Sequence, residues 1–144
     1  MDDTNGLTEL ERRVTEMLLA GDHPVLALLR VQFHHAKVVQ REFTGVGFYT
    51  HFEIPSNVPR VPGRRSFELG DVHAEIAGLE HGVYFILFVR DGAIDFLEAF
   101  TYGDDTCPET ITTFTLKYER AVKGSVVSRG PDRDRESLYR VLGT

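Results

Sequence analysis

The chain reads as a single α+β domain in which two N-terminal helices pack on a mainly antiparallel sheet of five or six strands. Three observations predict this. Apolar residues recur at helical spacing through residue 35, and from Ala36 to about Glu119 the period becomes twofold with Val, Phe, Tyr and Thr dominant. At 144 residues the chain is also long enough to bury one core without staples. Helices followed by strands, with no linker and no internal repeat, make the segregated architecture the economical one.

Residues 1–35 form the helical part. Leu7, Leu10, Val14, Met17 and Leu18 lie at helical spacing, with Glu9, Glu11, Arg12 and Arg13 between them. Thr8 with Glu11 makes a capping box, and Gly21 is a stop signal. The second helix is predicted to start with Asp22 as N-cap and Pro24 in the first turn. Leu26, Leu29 and Phe33 then form its stripe, widened by Val25, Leu28 and Val31.

Residues 36–119 form the sheet. The strands expected are Lys37 to Thr44, Val46 to Ile54, Phe67 to Leu79, Val83 to Arg90, Ala93 to Tyr102 and Thr112 to Glu119. Asp91-Gly92 between two apolar runs predicts a type I′ hairpin. "PSNVPRVPGRRS" holds too many breakers for regular structure and reads as a loop. Residues 120–144 form the tail, in which "GPDRDRESLYRVLGT" suits either a short helix carrying Leu138, Val141 and Leu142 or a frayed, charged end.

Charge and composition exclude several function classes. A formal net charge of -6 lacks the positive field that phosphate backbones require, so nucleic acid is not an expected partner. No apolar run approaches the roughly 18 residues of a membrane span, and the single cysteine, Cys107, fits a reducing compartment. A cytoplasmic protein without membrane contact is expected, and no motif calls for a cofactor.

Alternation assigns side chains to faces. Val46, Phe48, Thr50, Phe52 and Ile54 share one side, leaving Tyr49, His51 and Glu53 on the other. Likewise Val72, Ala74 and Ile76 oppose Asp71, His73 and Glu75. If these strands paired, the two His-x-Glu steps of His51, Glu53, His73 and Glu75 would converge as a candidate metal set; the plainer alternative is a solvated polar face. His73-Ala74-Glu75 also matches part of a zinc deaminase signature, but "TCPET" reverses its Pro-Cys order and supplies no second cysteine.

A regular two-residue hairpin would place Leu87 opposite Phe96 and Phe85 opposite Glu98 on one face, with Phe88 opposite Asp95, Ile86 opposite Leu97 and Tyr84 opposite Ala99 on the other. Both faces are then largely apolar, so part of one needs a partner chain, a loop or a ligand as cover. In that register Glu98 sits among Val83, Phe85, Leu87, Phe96 and Phe100, where a carboxylate must be paired, hydrogen-bonded or protonated. With Tyr49, Tyr84 and Tyr102 it forms the candidate ligand or partner pocket. Gly45-Val46-Gly47 is too short for a phosphate loop and reads as a strand bend. Arg60, Arg64 and Arg65 make a basic loop able to hold an anion or simply solvated, and Cys107 beside Pro108 reads as a bystander thiol.

"REFTGVGFYTHFEIP" and "FILFVRDGAIDFLEAFTYGDD" resemble a loose group of small, mostly uncharacterised bacterial proteins, whose pattern runs TGVGF-T-F and then F-LF-DG-x-LE-x-x-TYG. Ala99 stands where that pattern leads one to expect glycine. The resemblance implies an α+β domain, and some members of the group look like immunity partners of bacterial toxins; it transfers no catalytic residue. The functional expectation is therefore a non-enzymatic binding or interaction protein, with an immunity-like toxin inhibitor and a homodimer through the sheet as its specific forms. The alternative is a small metal-dependent or pocket enzyme using the His/Glu cluster.

Overall fold

The computed structural model describes residues 5–121 and 127–143. It contains α1 (Glu9–Leu18), α2 (Pro24–His35), β1 (Lys37–Phe43), β2 (Gly47–Glu53), β3 (Phe67–Glu75), β4 (Val83–Arg90), β5 (Ala93–Phe100), β6 (Thr115–Ala121), β7 (Val127–Gly130) and α3 (Arg135–Leu142). The α+β class and the N-terminal helices are as the sequence predicts, and the sheet has seven strands. Its order is β1-β2-β5-β4-β3-β6-β7, every pair antiparallel. The tail supplies β7 and α3, so its helical alternative is the one realised, while Lys123 to Val126 and Val122 lie outside the described residues.

The first helix starts as predicted. Thr8 accepts from the Glu11 N–H at 3.1 Å while Glu11 accepts from the Thr8 N–H at 2.9 Å, completing the capping box. For α2 the cap is His23, not Asp22: its Nδ1 accepts from the Val25 N–H at 3.1 Å. The imidazole does for Val25 what a short carboxylate would do, and its other nitrogen meets the Gly143 carbonyl just beyond α3. α1 packs against β3 and β4, α2 against β5, and α3 against β3. The core between helices and sheet holds Val14, Leu18, Leu26 and Leu29 against Val72, Phe85, Leu87 and Leu97, all fully buried.

Of the polar residues buried in this layer, Glu11 and Gln32 tie separate elements together. Glu11 is fully buried and accepts from Arg41 at 2.7 and 2.6 Å and from the Thr50 hydroxyl at 2.5 Å, so each carboxylate oxygen is bonded. Gln32, also fully buried, donates to the Pro59 and Gly92 carbonyls at 3.0 and 2.8 Å and accepts from the Ile94 N–H at 2.9 Å. It thereby ties α2 to the hairpin tip. Nothing in the apolar pattern of α2 announces that role, whereas Val31, expected on the buried stripe, is 46% exposed.

The Asp91-Gly92 turn forms with both residues at positive φ, 51° and 81°, as a type I′ turn requires. Arg90 pairs with Ala93 and Val89 with Ile94, as expected, but a bulge at Asp95 then shifts the register by one residue. Phe88 pairs with Phe96, Leu87 with Leu97, Ile86 with Glu98, Phe85 with Ala99 and Tyr84 with Phe100. An extra residue in one strand reverses the facing of everything beyond it. Leu97 and Ala99 therefore enter the core, and Glu98 lies on the opposite face rather than among Val83, Phe85 and Leu87.

Candidate functional site

The face of the sheet turned away from α1 and α2 carries a continuous field of aromatic side chains. The register lays them out in rows across the strands. One row runs His51, Phe96, Phe88 and Glu68; the next runs Glu42, Tyr49, Glu98 and Ile86; a third runs Phe100, Tyr84, His73 and Lys117. Tyr49, His51, Tyr84, Ile86, Phe88, Phe96, Glu98 and Phe100 are all only partly buried, and Tyr102 is 53% exposed. Phe88 and Phe96 stack at 4.3 Å, Tyr84 and Phe100 at 5.7 Å, and Tyr102 meets Tyr84 edge-on at 4.8 Å. Such ring arrays gain from contact with each other and still offer their outer surfaces.

Glycines permit close approach at two places in this sheet. A Cβ on Gly47 would lie 1.8 Å from the Ala99 carbonyl oxygen, so only glycine lets β2 approach β5 there. Gly70, in the β3 bulge, leaves Ile86 without a side chain above it, since an added Cβ would come within 3.3 Å of Ile86.

The candidate partner residues fall into two neighbouring pairs on this face. The Tyr49 hydroxyl donates to Glu98 at 3.2 Å, and the Glu98 charge raises the Tyr49 pKa above its ordinary value. Tyr84 and Tyr102 form the second pair. Glu98 is thus a hydrogen-bonded carboxylate on a half-exposed surface, with no enclosed acid site around it.

The His/Glu strips do not converge. β5 and β4 stand between β2 and β3, so His51 and His73 lie three strand spacings apart, about 14 Å. His51 bonds Glu42 at 2.8 Å, Glu53 is exposed at the end of β2, and Glu75 is paired with Lys117 at 2.8 Å, which lowers its pKa. His73 is only 1% exposed; its Nε2 donates to the His81 carbonyl at 2.8 Å, and its buried Nδ1 has no hydrogen-bond partner. Burial lowers its pKa. Among the described residues there is no group of three or more His, Cys, Asp or Glu side chains placed to hold a metal. His73-Ala74-Glu75 lies in β3, in extended conformation rather than at a helix start.

The remaining motifs are structural. Arg60 donates to the Pro55 and Val58 carbonyls at 2.6 and 2.9 Å, and Arg65 donates to the Leu142 and Val141 carbonyls, so two of the three loop arginines bind backbone. Asp105 accepts from the His81 N–H at 3.0 Å and holds the loop before β4. Cys107 is buried, its N–H donates to the Gly45 carbonyl at 2.9 Å, and burial pushes the thiol pKa up, away from reactivity. A cleft of about 560 Å³ between the first turn of α1, Phe43, Phe48 and residues 109–112 has the Glu11–Arg41 pair in its lining, with Glu11 saturated by its own partners.

Comparison with known proteins adds no relative: no family model, curated protein or solved structure matches the chain. No described helix is long and apolar enough to cross a membrane.

Proposed function

We propose that the chain is a non-enzymatic binding protein and that the open aromatic face of its sheet is the recognition surface for a protein partner. The observation that carries this is the asymmetry of the sheet. One face is filled by α1 and α2, while the other presents Tyr49, Phe88, Phe96, Phe100, Tyr84 and Tyr102 as a single half-exposed field. Aromatic residues dominate the energetic centres of protein interfaces, and a contiguous apolar patch of this kind marks an interaction site. An immunity-like inhibitor of a toxin is a specific form of this reading, supported by the sequence pattern at Thr44 to Phe48, Asp91-Gly92, Leu97-Glu98 and Thr101 to Gly103 and by the net charge of -6. A homodimer through the same face is the other.

The test compares wild type with Phe96→Ser in light scattering and in affinity capture from the source cell. A partner, or a dimer, held by wild type and lost by a variant that still melts cooperatively supports the reading. Equal capture by both proteins, with both monomeric, rejects it.

A further inference from the structure

We infer that the open face recognises a basic partner, and that it does so by taking arginine side chains between its aromatic rings and its unpaired carboxylates. The inference rests on the recognition role assigned to that face above.

Guanidinium groups already lie on two parts of the field. Arg90 sits over the Phe88 and Phe96 rings at 5.7 and 5.4 Å and pairs with Asp95 at 3.5 Å. Arg129 sits over the Tyr84 ring at 5.7 Å, donates to its hydroxyl at 2.9 Å and pairs with Glu119 at 2.9 Å. Each is an arginine stacked on a ring and held by a carboxylate, the combination that a planar cation favours.

Between them the same combination is half built. Among the described residues, Glu98 accepts from the Tyr49 hydroxyl and has no ion pair, Glu68 has no ion pair, and Glu42 is bonded to His51. These carboxylates stand in rows with Tyr49, Phe88 and Phe96. Among the described residues, three cations on the face already have an acid: Arg90 with Asp95, Arg129 with Glu119, Lys117 with Glu75. Glu68 and Glu98 keep their negative charge unmatched, and the chain's net charge of -6 adds a field that draws a basic surface toward them. A second copy would bring the same unmatched Glu68 and Glu98 to the interface from both sides, so charge favours a different, basic protein over a homodimer.

The test uses acetyl-triarginine amide, acetyl-trilysine amide and acetyl-triglutamate amide as probes at low ionic strength, followed through the amide signals of the full chain. The arginine peptide is expected to shift Tyr49, Phe96, Glu98 and Phe100 and to bind more tightly than the lysine peptide, which carries charge but does not stack. Glu98→Gln combined with Glu68→Gln is expected to weaken it roughly tenfold. No shift on the face, shifts confined to acidic residues elsewhere such as Glu9 and Glu16 of α1, or unchanged affinity in the double variant overturns the inference. Partner capture that survives the double variant but not Phe96→Ser also overturns it while leaving the recognition surface in place. Capture insensitive to Phe96→Ser is the separate signature of a failure of that underlying reading.

Discussion

Replacing Gln32 by leucine preserves helix propensity and approximate volume but leaves the Ile94 N–H without its partner, while the Gly92 carbonyl keeps the Val61 N–H. A buried group so stranded costs about 1–3 kcal/mol, so Gln32→Leu is expected to lower stability by about 1–3 kcal/mol in urea unfolding. His73 gives a pH signature of opposite origin. Its folded pKa is depressed below 6.5 by burial, and its bare Nδ1 offers an added proton no acceptor. Arg129 opposes protonation, Glu119 and Glu75 favour it, and Lys117 and Tyr84 flank the ring. The unfolded chain therefore takes up a proton that the folded one resists. This contribution is fully present above about pH 6.5 and is lost as pH falls from there through the folded value. Unfolding free energies measured across that window should fall more steeply for wild type than for His73→Asn; equal slopes would show that His73 is not the group responsible. Neither residue was legible in this role. His73 drew notice as half of a metal motif, and Gln32 lay between apolar neighbours without any pattern to mark it.

Elements were read well where side-chain period decides and poorly where backbone irregularity decides. The facing of β2 was correct because Phe48, Thr50 and Phe52 alternate with Tyr49 and His51 without interruption. The facing of β5 beyond Ile94 was inverted, because a bulged residue leaves no trace in composition and Asp95 looks like any polar position. The same limit hid the strand order, which depends on crossovers and not on local pattern; it is the order that parts His51 from His73. Gly47 was read as easing a bend, whereas its larger role is the close approach of β2 to β5. Gly47→Ala should therefore disrupt that pairing. Amide hydrogen exchange is expected to rise in residues 47–51 and 96–100 while the β3–β4 pairing stays protected, and uniform protection would refute the assignment.

Across the whole molecule, the two sides of one strand make opposite predictions. Leu97 is fully buried, and Leu97→Ala is expected to cost about 2–5 kcal/mol. Its neighbour Phe96 is half-exposed, so Phe96→Ser should cost only about 1 kcal/mol and leave the fold cooperative. Comparable losses at both positions would mean that the open face serves stability rather than recognition. That the hairpin has apolar residues on both sides was visible in the sequence; which side stays open was not, because cover is a property of how the helices dock. The Asp91-Gly92 turn has a kinetic corollary. β4 and β5 are joined by two residues and can pair locally, whereas β2 meets β5 only after a loop of more than forty residues closes. The central hairpin is thus the natural nucleus onto which β2 docks from one side and β3 from the other. Gly92→Ala, strained at a φ of 81° and pressed against the Val61 carbonyl, should mainly slow folding, while changes in β1 or β7 should mainly speed unfolding.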